Sequence, residues 1–266
     1  MNHINITDFN LPINVLLNTP TLLFDNGLGH RIFWLGIPEE TAFRCNSYLI
    51  VDGDEAIIVD PGSRDFFGFV KRRIEEIIPL SNLKGMILCH QDPDVAGSTI
   101  DWLEFNPKLK VISSDRTNVL LPHYGIKDYD YYSIGLDNDF SYQFSSGKTL
   151  QFIEAPFLHF PGAFTTFDVE SEFLLSGDIW AALDIDWNLV VDNFSDHEMK
   201  LDLFHLDYMA SNIASRGFAH KIQDMKIEAI LPQHGSIIPK EFVIDAIKYL
   251  EELRCGLDII YPELSI

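Results

Sequence analysis

Basic residues are scarce in this chain of 266 residues, which sets 19 Lys and Arg against 40 Asp and Glu for a formal net charge of −21 at pH 7. A surface that acidic repels phosphate backbones, so the composition argues against a nuclease or a nucleic-acid reader. It leaves room for a small anionic ligand held through a metal. Long apolar runs are also missing: none approaches the roughly 18 residues that a bilayer-spanning helix requires, and no membrane partner is expected. The first residues, Met1-Asn2-His3-Ile4-Asn5-Ile6-Thr7, offer neither a charged segment nor an apolar core, which predicts no secretory signal peptide. Cysteine is sparse, with Cys45, Cys89 and Cys255 odd in number, far apart and in no Cys-x-x-Cys pattern. That pattern predicts buried, reduced thiols in a cytoplasmic protein. No internal repeat, low-complexity tract or Pro/Ser-rich linker interrupts the chain, so one domain over residues 1–266 is the expectation.

What is present suffices for a sizeable core, with 47% hydrophobic and only 22% charged residues. Thr21-Leu22-Leu23-Phe24 and Ile32-Phe33-Trp34-Leu35-Gly36 read as strands around an Asp25-Asn26-Gly27 turn. Asn46 to Val51 and Ala56 to Asp60 flank Asp52-Gly53, a strong hairpin signal. The apolar spacing of Phe66, Phe69, Val70, Ile74, Ile77 and Ile78 predicts a helix over 66–78. Further strands are expected at 85–89, 110–113, 140–144, 149–155, 165–169, 173–175 and 228–231. Helices are expected from Val95 to Phe105, from Glu198 to Met225 and from Lys240 to Leu253. Strands with helices interspersed indicate an α/β protein whose sheets are covered by helices.

The chemistry gathers at strand ends. Met86-Ile87-Leu88 runs into His90-Gln91-Asp92-Pro93-Asp94, which places a histidine and two carboxylates at alternate positions. Pro93 restricts Asp92 to extended geometry. Asp94 then stands where a helix starting at Val95 would take its N-cap. Three more strands end in tight Gly or Pro loops carrying His159, Asp178 and His234. Strand ends along one rim lie close together, so these loops can converge. Three imidazoles and three carboxylates favour a first-row metal such as iron, manganese or zinc over calcium or magnesium. Six donors exceed what one tetrahedral zinc takes, which suits a binuclear centre. Ser146-Gly147-Lys148-Thr149 is not read as a phosphate-binding loop, because Tyr142 stands where its first glycine belongs and a strand follows. His3, His30, His123, His197 and His220 fit no ligand pattern and are assigned surface or structural roles.

The order Asn46-Ser47-Tyr48-Leu49, Asp60-Pro61-Gly62, His90-x-Asp92-x-Asp94, Pro156-x-x-His159-x-Pro161-Gly162, Ser176-Gly177-Asp178 and Pro232-x-His234-Gly235 resembles the metallo-β-lactamase superfamily over residues 20–255. The resemblance implies an αββα sandwich with a binuclear metal site at the sheet edge. Hydrolases of that superfamily carry His-x-His-x-Asp-His, whereas Asp92 fills the second slot here. A carboxylate there resembles the flavodiiron proteins, and implies two irons. The implied first site is His90, Asp92 and His159, the implied second site Asp94 and His234, with Asp178 bridging. Two Fe(II) carry a charge of +4, and three aspartates supply −3, which leaves the implied centre nearly neutral.

Two departures refine the expectation. Val95 stands where the family has a second-site histidine, which implies a missing donor and an open, apolar coordination position for oxygen; His205 or a nearby tyrosine is the alternative occupant. The flavodoxin domain of flavodiiron proteins has no counterpart after His234, so no flavin is expected in this chain. A diiron centre without that electron supply resembles the oxygen-binding diiron proteins linked to bacterial chemotaxis. The leading expectation is therefore an oxygen and iron sensor that binds O2 reversibly or as a long-lived iron–oxygen species. Its expected partners are dioxygen and chemotaxis signalling proteins, with a homodimer as the candidate assembly. The alternative is an O2 or NO reductase using an external electron donor. A binuclear hydrolase, with metal-bound hydroxide as nucleophile, is the second alternative, and Asp92 argues against it.

Overall fold

The computed structural model describes the backbone of residues 2–3 and residues 19–36, 43–184 and 188–264. Among them, the strands are β1 (Asn2–His3), β2 (Thr21–Asp25), β3 (His30–Trp34), β4 (Tyr48–Asp52), β5 (Glu55–Val59), β6 (Leu83–Ile87), β7 (Lys110–Ser113), β8 (Asp130–Ser133), β9 (Ser141–Gln143), β10 (Thr149–Glu154), β11 (Phe164–Asp168), β12 (Phe173–Gly177), β13 (Ala229–Pro232) and β14 (Ile238–Pro239). They form an eight-stranded sheet in the order β1 to β8 and a six-stranded sheet in the order β14 to β9. The first sheet is antiparallel from β2 to β5 and parallel from β5 to β8. In the second sheet only β12 and β13 run parallel.

The strands are apolar on both faces because both faces are covered. Along β4, Tyr48 and Ile50 enter the core between the sheets, where they meet Phe152, Phe164 and Leu231. Leu49 and Val51 point the other way, into a cluster with Val70, Ile74 and Trp102. Those last residues belong to α1 (Phe67–Glu75) and, beyond α2 (Pro93–Ala96), to α3 (Thr99–Phe105). The outer face of the second sheet is covered by α4 (Phe194–Tyr208), α5 (Asn212–Ile222) and α6 (Val243–Glu252), through Leu201, Phe204, Phe218 and Leu250. The result is the expected αββα sandwich.

Three helix expectations need correction. The stretch from Val95 to Phe105 is two helices, with Asp92 rather than Asp94 at the first N-cap position. Proline favours the first helical position, so Pro93 starts the helix and draws Asp94 into its first turn. The stretch from Glu198 to Met225 is also divided. Met209 and Ser211 are extended, and Ala210 N–H donates to Phe157 O. Asn193 caps α4 by accepting from the N–H groups of Ser195 and Asp196, which sets its start earlier than Glu198. The helix expected over 66–78 ends at Glu75 after a 3₁₀ turn at Arg64–Phe66. Lys148 pairs with Asp52 at 3.1 Å beside the β9–β10 turn, in keeping with its exclusion as a phosphate loop.

Candidate metal centre

The C-terminal ends of β6, β10, β12 and β13 carry His90, the His159 loop, Asp178 and His234 to one edge of the sandwich. Two glycines let the last two turns form. Gly177 has φ +57° and a Cβ there would lie 2.7 Å from Cys89 Sγ; Gly235 has φ +86° and a Cβ would lie 2.6 Å from Ala182 Cβ. An L side chain is disfavoured at both by conformation and by space. The first sheet holds the His234 loop in place. Asn46 Nδ2 donates to the carbonyls of Pro232 and Gly235, each at 2.9 Å, and Tyr48 Oη donates to Pro232 O at 2.8 Å.

All six sequence-predicted donors come together. His90 Nε2 lies 3.3 Å from Asp178 Oδ2 and 3.6 Å from Asp92 Oδ2. His159 Nε2 lies 3.0 Å from Asp178 Oδ2 and 3.4 Å from Asp92 Oδ2. On the other side, His234 Nε2 is 3.2 Å from Asp94 Oδ2 and 3.5 Å from Asp178 Oδ1. Asp178 thus presents one oxygen to each group. Ligand atoms of His90, Asp92 and His159 lie within 4.8 Å of one another, and so do those of Cys45, Asp94 and His234.

His234 Nδ1 is 3.0 Å from Arg44 O. A carbonyl can only accept, so Nδ1 carries the hydrogen and Nε2 is the atom that faces the carboxylates. His90 Nε2, His234 Nε2 and Asp178 Oδ1 are all buried, yet none has a hydrogen-bond partner. Carboxylate oxygens lie near these atoms without aligned hydrogen bonds, as expected of groups directed at a shared central point. Buried polar atoms are seldom left unpaired. The donor set and these three atoms fit metal ions.

The charge pattern agrees. Burial disfavours a charged His90, but Asp178, Asp92 and Asp94 outweigh it and raise the imidazole to about 9. Burial likewise opposes ionisation of Asp178, yet the three histidines hold its carboxyl well below the usual range. Asp94 is lowered, with His234 overcoming the effect of burial. These are anionic and cationic partners packed where a metal would displace the protons.

Val95 is fully buried in the apolar cluster under α1 and α3 and carries no donor. His205 does not fill its place. Its Nδ1 donates to Leu201 O at 2.8 Å and its Nε2 accepts from the N–H of Trp180 at 3.0 Å. Burial lowers His205 to about 4, so it is neutral. His30 is structural as expected, buried between Asp52 and Asp168 with both ring nitrogens at 3.1 Å. Sequence reasoning missed Cys45, and it missed an aromatic wall. Phe43 lies 4.3 Å from the His234 ring, and Phe204 stacks on Tyr208 while both rings stand 5.9 Å from His159. The four-residue spacing of Phe204 and Tyr208 on one helical face was the available signal.

Among the described residues no helix is long and apolar enough to cross a membrane. A structure described as the peroxy diiron species of chemotaxis sensor ODP aligns at 30% identity and a TM-score of 0.81, covering 91% of this chain and 99% of that one. The apo state of chemotaxis sensor ODP from T. denticola aligns at 30% identity and 0.78, covering 92% and 99%. Flavo-diiron protein FprA2 of Clostridium acetobutylicum is 30% identical over 148 residues, 56% of this chain and 36% of that protein. The chain spans about a third of the length of the first curated relatives it matches. The αββα sandwich is thus of the metallo-β-lactamase type, shared with flavodiiron proteins. With residues 43–235 matching the family described as "ODP family beta lactamase", this chain belongs to the ODP family.

Proposed function

We propose that this protein is a non-haem diiron sensor of oxygen and iron, whose output is occupancy of the centre rather than turnover. The observation that carries the reading is Asp178, with Oδ2 3.0 Å from His159 and Oδ1 3.5 Å from His234. A carboxylate shared in this way suits two metals. His90, Asp92 and His159 would hold the first ion, Asp94 and His234 the second, and Asp178 would bridge them. A carboxylate at Asp92, with no imidazole there, favours a hard, oxidisable metal, and iron supplies the redox chemistry that dioxygen binding needs.

The chain's own residues shape the response. His90 and His234 are buried, and aromatic rings pack against the imidazoles, Phe43 against His234 and Phe204 and Tyr208 against His159. Val95 contributes no donor and leaves an apolar neighbour beside Asp94, which favours a small uncharged ligand such as O2. Similarity to structures described as a chemotaxis sensor supports chemotaxis signalling proteins as partners, with the protein acting in the cytoplasm and a second copy of the chain as a candidate companion.

The test is purification without oxygen, metal analysis, and an absorption spectrum before and after air. Two irons per chain and a charge-transfer band that persists for minutes are expected, with little steady-state O2 consumption when reductant is supplied. Sustained consumption of O2 or NO would assign the chain to the reductases, served by an external electron donor. A colourless zinc protein with esterase activity would overturn both readings.

A further inference from the structure

We propose that Cys45 is a protein ligand of the second metal position, so that the centre holds one thiolate besides its imidazoles and carboxylates. The inference rests on the binuclear reading above and names a donor which that reading lacks.

The geometry is that of a coordination shell. Cys45 Sγ lies 3.6 Å from Asp94 Oδ2, and His234 Nε2 lies 3.2 Å from the same oxygen. Ligands at about 2.3 Å (thiolate) and about 2.1 Å (carboxylate) in a tetrahedral shell stand about 3.6 Å apart, and an imidazole–carboxylate pair is only slightly closer. Cys45 is 9% exposed, and His234 Nε2 is fully buried without a hydrogen-bond partner. The thiol, that nitrogen and the Asp94 carboxylate lie within 4.8 Å of one another.

The main chain fixes this placement. Cys45 and His234 face each other in an isolated antiparallel bridge, 189 positions apart in sequence (234 − 45). Arg44 O accepts from His234 Nδ1, and Asn46 N–H donates to Gln233 O at 2.6 Å. Three consecutive residues thus grip the histidine loop, and the middle one offers sulfur. The other cysteines face elsewhere. Cys89 Sγ lies 3.0 Å from His90 Nδ1, behind the ring, and Cys255 Sγ lies 3.9 Å from Ser215 Oγ.

Donor count and charge both improve with the thiolate. Without it the second position has His234, Asp94 and the shared Asp178, against His90, Asp92, His159 and Asp178 for the first. With it the two positions have four protein donors each, and four anionic ligands match the +4 charge of two divalent ions. Ligation breaks the S–H bond, releases the proton to solvent and forms a metal–sulfur bond, with no change of oxidation state.

The test titrates metal-free protein with Co(II) under reducing, oxygen-free conditions. Alkylation by iodoacetamide is then mapped by mass spectrometry with and without metal. The expected result is a near-ultraviolet thiolate-to-cobalt band that grows with the second equivalent, together with protection of Cys45 from alkylation. Cys45→Ser should lose the band and bind the second equivalent at least tenfold more weakly, while Cys255→Ser keeps both. Two bound Co(II) with no sulfur band, or Cys45 alkylated equally with and without metal, overturns this inference and leaves the binuclear centre standing. Failure of the wild-type protein to take up metal overturns both. The alkylation map uses the wild-type chain, so the outcome does not depend on a variant folding.

Discussion

Asp178 stands between His159 and His234, with Oδ2 3.0 Å from one imidazole and Oδ1 3.5 Å from the other. This carboxylate lies within 3.5 Å of an imidazole in each half of the donor set. Asp178→Asn keeps the shape but removes the charge, and it replaces one acceptor oxygen with a donor. The variant should lose metal from both positions, not from one, whereas Asp92→Asn should affect the first position alone. Metal counts after anaerobic loading will show the difference. A ligand at about 100 times its dissociation constant stabilises the folded state by about 2.7 kcal/mol. Wild-type Tm should therefore rise on Fe(II) addition, and that of Asp178→Asn should not.

His205 gives the opposite pattern. Its Nε2 accepts from Trp180 N–H and its Nδ1 donates to Leu201 O, so neither nitrogen is available to a metal. His205→Ala strands a buried N–H and opens a cavity, for an expected loss of roughly 2–4 kcal/mol. Metal per chain should stay at the wild-type value. Urea unfolding read beside metal analysis checks both halves of the prediction.

These two residues also show what could be read from sequence. Asp178 was recognisable because Ser176-Gly177-Asp178 closes a short apolar run, and a run bounded by turn residues marks a buried strand even without alternation. Patterning alone gave an α/β protein with helix-covered sheets, and the αββα order of the layers came from the resemblance carried by the loop motifs. His205 was not recognisable: on an apolar helix face, an acceptor for a backbone N–H and a metal ligand look alike. The break after Tyr208 was hidden because the apolar spacing of Leu203, Leu206, Met209 and Ile213 runs on across it, while backbone hydrogen bonds of Ala210 with Phe157 and Leu257 interrupt the helix. Cys45 lay beyond reach because its neighbours Asp94 and His234 come from distant loops. The same pairing of β4's approach with the loop after β13 gives Asn46 and Tyr48 their role, since both donate to the Pro232 carbonyl.

Gly177 should be intolerant of a methyl group. Its φ of +57° is one that L residues rarely adopt, and the added Cβ would lie 2.7 Å from Cys89 Sγ and 3.1 Å from Cys89 Cβ. Gly177→Ala should cost about 1–3 kcal/mol of stability through strain and overpacking. Because Asp178 is the next residue, metal retention after dialysis should fall as well. A variant as stable as wild type with full metal content would show that this turn does not position Asp178.

His30 makes a pH prediction away from the metal centre. Burial opposes its charge, but Asp168 and Asp52 outweigh burial and raise its pKa above the ordinary value. A group whose folded pKa is raised contributes stability that is full below its unfolded pKa, about 6.5, and is lost as pH rises through the folded value. Metal-free His90 and His234 act with the same sign, so the comparison must be between chains that both keep them. Wild-type stability should fall faster than that of His30→Gln as pH is raised from 6 to 9. Parallel curves in thermal unfolding would remove His30 as a source of the dependence.

Val95 carries the last prediction. It is fully buried among apolar side chains, next to Asp94 and without any donor of its own. Val95→His would bring a polar ring into that cluster, at about 1–3 kcal/mol if its nitrogens find no partner. If the ring instead reaches the second metal, stability recovers on metal addition and the ring adds a donor there. The band formed on exposure to air should then be shorter-lived than in wild type, and O2 consumption with supplied reductant should rise. Val95→Thr, which changes polarity with little change in shape, should leave the lifetime of the band unaltered. Identical oxygen handling by wild type and a metal-loaded Val95→His would mean that the apolar residue is not what separates binding oxygen from consuming it.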